Sequence, residues 1–535
     1  MSVREGVGEL YDVLIIGSGA GGGPLALSLS SAGLRVLVLE KGREYAREAY
    51  AHGPGGLEPQ ALIPRVEEDP HTVVTRKTVN PLRNALGWTA SCVGGATVHM
   101  GGYFYRFHPD DMRMRSRFGV YEELEDWPYD YDALEPWYGL AEREVGVSGL
   151  AGVNPFEGPR STPYPMPPLE AHPLAEALDV ACRRRGLHPF PTPRAINSRP
   201  YLGRPACAYC ARCSGLGCPV GARGSSQEAL LPRAMATGRC ELRALAQARE
   251  VTLGADGRVS GCVYLDDRGR EHRVLARVVC VCCSAVESAR LLLLSRSPRF
   301  PDGLANGSGR VGRHLQFHGV TMARARLPLD RGPGATMVDP HPFIGRSVMD
   351  HYFLPDGVSE LAKGGILRFG RMAPVPETLE GASSAATGEL FCEVFHDFIP
   401  NARTSMVLDP EVKDRWGLPV ARIHLDRPRH HVRAGAWLQA RVFELFGDLG
   451  AESMESLVVG GTSSYLVHGT CRAGSDPATS VLDAHCQAHE VDNLFVVDGS
   501  FMPTSGGAAP TLTILANAFR TADHIARRFR AGDFG

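Results

Sequence analysis

The apolar positions of the first forty residues switch from a strand pattern to a helical one and back. Tyr11 to Ile16 (YDVLII) is a short, β-branched, apolar run stopped by glycine, which predicts a buried strand. Pro24 to Ala32 carries Leu25, Leu27 and Leu29 and predicts a helix ended by Gly33. Arg35 to Leu39 (RVLVL) predicts a second strand, closed by Glu40. Residues 43–80 are polar and proline-rich with little periodicity, which predicts an excursion over the N-terminal unit. Trp127 to Val145 predicts a helix with Asp130 or Asp132 as its N-cap, and residues 151–173 a proline-rich crossing or lid.

Residues 240–282 alternate apolar and polar groups between turns at Gly254, Asp256-Gly257 and Asp267–Gly269, the pattern of a small antiparallel sheet. Val278 to Val281 leads into a leucine-rich helix over Ser284 to Ser295. Residues 315–465 mix strands and irregular segments with one helix at about 431–447. Leu494 to Val497 is a strand running into Asp498-Gly499-Ser500. Thr511 to Phe529 is a helix with Ile514, Leu515, Ala518, Phe519, Ala522 and Ile525 on one face.

Charge narrows the function classes. The 535 residues carry 57 basic and 59 acidic side chains, a net charge of −2, which argues against a nucleic-acid binder. No apolar run approaches the ~20 residues of a membrane span. Val13 to Ile16 is too short for a signal-peptide core, so the expected location is the cytoplasm. There the 14 cysteines are expected to be mostly reduced thiols.

The first chemistry lies between the two N-terminal strands. Gly17-Ser18-Gly19-Ala20-Gly21-Gly22 places glycines in the G-x-G-x-x-G spacing, and Glu40 follows Gly17 by 23 positions. Gly17 allows a tight turn, Gly19 lets backbone N–H groups approach a pyrophosphate, and Gly22 lets the helix pack close to the sheet. The helix N-terminus favours the phosphates. Glu40 is placed to accept from a ribose hydroxyl, which favours FAD or NAD over NADP. The run into Glu40-Lys41-Gly42 has the layout of FAD-binding oxidoreductases. The glycine-dense stretch Gly87 to Phe107 suits backbone lying against a flat ligand.

From end to end the chain resembles the glucose–methanol–choline (GMC) oxidoreductases. The likeness is carried by the N-terminal unit, Val93-Gly94-Gly95-Ala96-Thr97, Ser284-Ala285-Val286-Glu287-Ser288, and Asn493 to Ile514 (NLFVVDGSFMPTSGGAAPTLTI). Tyr103 to Asp110 and Trp127-Pro128 look most like the branch of pyranose oxidases and gluconate or glucose dehydrogenases. The resemblance implies an α/β plus α+β architecture: a discontinuous Rossmann-like FAD domain with an interleaved substrate domain on a mostly antiparallel sheet. It places the FAD domain at residues 1–150, 200–315 and 466–535, and the substrate domain and lid at 151–199 and 316–465. It implies hydride transfer from a CH–OH group of an alcohol or sugar-like substrate to flavin N5. Gly17, Gly19, Gly22, Glu40, Gly94, Gly95, Val251 and Asp498 are the expected FAD contacts. His99 matches the position that carries covalent flavin in some members and only packs on the ring in others. The sequence names neither the substrate nor the electron acceptor.

The pattern fails at the catalytic pair. The family's His-x-x-Gly-Thr position is Leu466 here, with His468 two residues later, and its second position, before Pro510-Thr511, is Ala509. Alcohol oxidation needs a base for the hydroxyl proton, and an imidazole suits that role. His468 is therefore the candidate base, against a structural role beside the flavin, and His396 is an alternative from the substrate domain. A specialised biosynthetic flavoenzyme and a flavin-binding electron-transfer protein are the alternative functions. Cys207, Cys210, Cys213 and Cys218 fit a metal-free turn, which is favoured, an Fe–S cluster or zinc. Cys280, Cys282 and Cys283 read as packing.

Overall fold

The Leu10–Ile16 strand is apolar on both sides because it lies between two parallel neighbours, Val36–Leu39 and Glu271–Val281. The computed structural model describes residues 9–535 other than 52–55, 58, 79, 85, 88–89, 120, 122, 173, 211–212, 214, 328–344, 371–387 and 428. An eight-stranded sheet runs Gln487–Ala488, Val491–Val496, Glu271–Val281, Leu10–Ile16, Val36–Leu39, Cys240–Arg243, and the Gln247–Leu253 and Val259–Leu265 strands extend it beside Glu271–Val281. The helices Gly22–Ser31 and Thr511–Ala531 pack on each other over this sheet. Their inward leucines, alanines and phenylalanines join Val13, Leu14, Ile15, Val278 and Val279 in one core.

The 240–282 stretch divides between two roles. Cys240–Arg243 pairs parallel with Val36–Leu39, whereas Gln247–Leu253, Val259–Leu265 and the first half of Glu271–Val281 form the expected antiparallel meander. The second half of that long strand enters the parallel sheet, so one strand joins the meander to the N-terminal unit.

A second, six-stranded sheet is antiparallel throughout: Ser453–Thr470, Arg313–Leu327, Gly388–His396, Gly365–Gly370, Arg346–Val348, Pro189–Pro191. The helices Leu174–Arg184 and Arg429–Asp448 bury Leu178, Leu438, Val442 and Phe446 against it. A four-stranded sheet joins Ser405–Lys413 and Pro419–Leu425 to His71–Thr75 and Leu82–Asn84. The polar 43–80 stretch therefore contains a strand, His71–Thr75, held parallel to Pro419–Leu425. Two parts of the 315–465 stretch, 328–344 and 371–387, lie outside the described residues. The Tyr131–Val145 helix is capped by Asp130, whose carboxylate accepts from the Ala133 N–H.

Candidate active site

The glycine loop is fixed by contacts that no other residue type permits. A Cβ on Gly17, where φ is +101°, would lie 2.3 Å from the Cys282 carbonyl oxygen, and one on Gly22 1.9 Å from that of Gly17. The helix that follows has no side-chain N-cap and no acid in its first turn, so its N-terminal N–H groups and positive end have no internal anion.

Glu40 is tied back to this loop. Its Oε2 accepts from the Ser18 N–H at 3.1 Å and Oγ at 2.7 Å, and its Oε1 from the Gly42 N–H at 2.8 Å. Burial pushes its carboxyl up, and these three donors oppose the shift. Ser18 Oγ in turn accepts from the Gly94 N–H at 2.9 Å, and a Cβ on Gly95 would sit 3.0 Å from Gly19 Cα. The four glycines Gly17, Gly19, Gly94 and Gly95 and the acid Glu40 are thus one cradle. Ser18 links its parts, and the G-S-G tripeptide was the only sequence signal for it.

The backbone lying along Glu40 belongs to residues 245–246: Ala246 N–H donates to the Glu40 carbonyl and Leu245 N–H to that of Gly42. Val251, further along the same segment, gives its N–H to Ser295 Oγ at 2.9 Å. Asp498 is buried between loops, accepting from Ser284 N–H at 3.0 Å and Ser500 N–H at 2.8 Å and from the hydroxyls of Ser288 and Ser500. Burial again pushes this carboxyl up against those bonds.

His99 follows the short helical turn Gly95–Val98. Its Nε2 is buried without a hydrogen-bond partner, and burial with the nearby Arg223 guanidinium pushes the ring down to about 4. The cysteine turn leans on this segment: Gly215 N–H donates to the His99 carbonyl, and Arg223 donates to the carbonyls of Met100, Cys213 and Leu216. Cys207, Cys213 and Cys218 pack around Ile196 and Ala222, and all four thiols of the turn are free. Among the described residues no group of three or more His, Cys, Asp or Glu could hold a metal ion. Cys280 and Cys282 are buried in the core, and Cys283 Sγ meets the Ile16 carbonyl.

At the other end of the cradle, Leu466 and Ala509 are partly exposed, whereas His468 is fully buried with neither ring nitrogen hydrogen-bonded. A Cβ on Gly499 would lie 3.8 Å from His468 Cδ2, so the imidazole stands beside the bend that follows Asp498. Its ring meets that of His318 edge to face at 4.8 Å. Burial, reinforced by His318, holds His468 well below the usual imidazole range. His396 lies one layer further out, 5.5 Å from His431 and 3.4 Å from Thr321 Oγ1, and burial pushes it down to about 3. His318 had no motif to mark it, being one of two histidines in an apolar strand.

Two family models, both described as GMC oxidoreductase, match residues 31–320 and 400–518. The chain belongs to the GMC oxidoreductase family. It is 34% identical to 6'''-hydroxyparomomycin C oxidase of Streptomyces lividus, over 98% of this chain and 92% of that protein. It is 32% identical to 2-methyl-1,2-propanediol dehydrogenase of Mycolicibacterium austroafricanum, over 97% of this chain and 95% of that one. The fold matches a pyridoxine 4-oxidase from Mesorbium loti with a TM-score of 0.63 at 21% identity, covering 96% of this chain and 99% of that chain. This GMC oxidoreductase is an FAD-dependent enzyme acting on CH–OH groups. The cradle fits that cofactor: glycines where a Cβ would block approach, an uncapped helix end for phosphate, and a carboxylate for ribose. No helix among the described residues is long and apolar enough to cross a membrane.

Proposed function

We propose that this GMC oxidoreductase oxidises a small alcohol or sugar-like molecule, with His468 taking the hydroxyl proton. One observation carries the reading: a fully buried imidazole with both nitrogens unpartnered stands beside the Asp498–Gly499 bend, where the usual histidine position is Leu466. An imidazole held neutral at physiological pH has a lone pair ready to accept a proton. The substrates named for the two relatives, 6'''-hydroxyparomomycin C and 2-methyl-1,2-propanediol, both carry hydroxyl groups.

FAD, when bound, would supply the hydride acceptor. Gly17, Gly19, Gly22, Gly94 and Gly95 give it backbone access, and Glu40 has lone pairs left for a ribose hydroxyl. Leu245 and Ala246 join Val251 as residues proposed beside the nucleotide end, on their hydrogen bonds to Gly42 and Glu40. Asp498 ties the Ser284 and Ser500 loops together, which would steady the backbone available to the cofactor. His99, whose Nε2 is buried and unpartnered, would pack against the flavin, the alternative being a covalent bond to it. The six-stranded sheet with its two helices forms the substrate-binding unit, and free thiols at all 14 cysteines favour a cytoplasmic location.

The test is anaerobic mixing of purified holoenzyme with a panel of alcohols and sugars, following flavin absorbance. Bleaching by at least one CH–OH donor, slowed ~10²–10⁴-fold in His468→Ala, is expected. Equal rates in wild type and His468→Ala would remove the base assignment. Acid precipitation separates the two readings of His99: yellow colour released from the protein means packing, and colour that stays with it but leaves in His99→Ala means a covalent bond.

A further inference from the structure

The six-stranded sheet has one closed face and one open one. Leu367, Phe369, Leu390, Cys392 and Val394 point to the two helices and are at most 2% exposed. Alternate residues of a strand point the other way. Met322, Glu393, Arg368 and Ser347 are partners in register on four adjacent strands, so they form one row across the second face. Tyr103 and Tyr105, from the segment that follows Gly94 and Gly95, lie over this row. The Tyr105 hydroxyl is 2.7 Å from Ser347 Oγ, and Arg368 Cζ is 3.5 Å from the Tyr103 ring centroid. Met322, Phe395 and Tyr103 are only half-buried, so this face is not packed shut. The row also reaches the buried histidines. Arg368 Cζ is 5.4 Å from the Phe395 ring, Phe395 is 5.8 Å from His318, and His318 is 4.8 Å from His468. There the facing strand bulges, with residues 463–466 opposite His318.

Arg368 is held ready for a ligand. Its guanidinium pairs with Glu393, its direct cross-strand neighbour, and lies over the Tyr103 ring. The two side chains are 13% and 6% exposed. A guanidinium has five N–H donors, and a fork to one carboxylate uses two. No other acceptor is bonded to the Arg368 side chain among the described residues, so three N–H groups are left to a ligand. A second guanidinium, that of Arg194, also lies over Tyr103, at 4.1 Å. Burial would raise the Tyr103 phenol, and the charges of Arg194 and Arg368 outweigh it and pull the phenol down. The potential around this ring is therefore positive even with Glu393 in place, and such a field draws an anion.

Resting on the reading of a CH–OH group oxidised beside His468, we propose that Arg368 is a specificity-determining residue that grips a carboxylate of the substrate, which makes the substrate a hydroxy acid. The planar fork of Arg368 matches the two oxygens of a carboxylate. Glu393 fixes the direction of the fork and Tyr103 its plane. The acid group lies at the end of the substrate away from the carbon that is oxidised.

The experiment is calorimetric titration of the holoenzyme, which needs no turnover, with two matched series: glycerol, glycerate and 3-amino-1,2-propanediol, and glucose, gluconate and glucosamine. In at least one series the acid should bind at least about tenfold more tightly than its neutral and amino partners, the scale of one charge-assisted hydrogen bond. Arg368→Gln should weaken the acid at least about tenfold more than the neutral partner, and Arg368→Lys, which keeps the charge without the fork, should recover part of the difference. If Arg368→Gln alone does not fold, the double variant Arg368→Gln/Glu393→Gln, which leaves no stranded carboxylate, decides by the same comparison. Failure of both acids to bind overturns the proposal, as does an acid preference unchanged in Arg368→Gln, or a preference for an amino partner that is lost in Glu393→Gln. His468→Ala should keep the acid preference. Equal flavin reduction by wild type and His468→Ala, with the acid preference intact and dependent on Arg368, removes the base and leaves the carboxylate grip.

Discussion

Gly95 stands tightly against Gly19: a Cβ on Gly95 would come within 3.0 Å of Gly19 Cα, whereas one on Gly19 would lie an ordinary 3.8 Å from Gly95 Cα. Two glycine segments 76 residues apart therefore make one wall of the flavin cradle. Gly95 also has φ at +54°, the left-handed region. Gly95→Ala is expected to lower FAD affinity at least about tenfold and stability by ~1–3 kcal/mol, the scale of overpacking. Titration of apoprotein with FAD, followed by fluorescence quenching, measures the first. Gly238→Ala is the control, because its φ is +70° with nothing within 4 Å of the new Cβ. It should cost stability and leave flavin affinity unchanged.

The N-terminal unit was legible because its signals are local. Strand, glycine turn, helix and acid all lie within forty residues, and the observed strand Leu10–Ile16 and helix Gly22–Ser31 differ from the pattern by one or two positions. The Thr511–Ala531 helix was legible for the same reason, having an apolar face of its own. His71–Thr75 was not, since its order comes from Pro419–Leu425, some 350 residues away. In the site, the glycines and Glu40 were readable from spacing, while Ser18 and His318 act through partners distant in sequence. The bulge at 463–466 has no composition of its own and appears only as a change of register.

Behind the Ser505–Gly507 loop, Lys363 is fully buried between Asp111 and Asp397, with its ammonium 4.0 Å from the Tyr352 ring centroid. Tyr352 donates to Asp111 and accepts from the Gly507 N–H, so the cluster supports the loop beside His318. Removing the cation leaves two buried carboxylates facing each other. Lys363→Met is expected to lose ~3–5 kcal/mol of unfolding free energy, measured by urea denaturation. Adding Asp397→Asn should restore part of it by removing one of the stranded charges. A single variant as stable as wild type would show that the cluster does not hold the loop.

The buried histidines set the acid limit of the fold. Burial pushes His318 and His430 down to about 4 and His396 to about 3, and His431 and His468 lie well below the ordinary value of 6.5. Between pH 6.5 and about 4 the unfolded chain binds protons that the folded chain refuses, so stability falls as the pH falls through that window. Asp397 works the other way: burial raises its carboxyl to about 6, and it favours the folded state as pH drops from there toward 3.8. Burial raises the Glu40 and Asp498 carboxyls in the same sense as Asp397, and the five imidazoles outweigh these three carboxyls, so the net slope is positive. Urea midpoints at pH 7.5, 6 and 5 should fall in that order, with most of the loss below pH 6.5. His431→Gln keeps a polar, uncharged side chain and removes one titrating ring, so its slope should be shallower by up to one proton. A slope identical to wild type would mean that His431 charges without unfolding the chain.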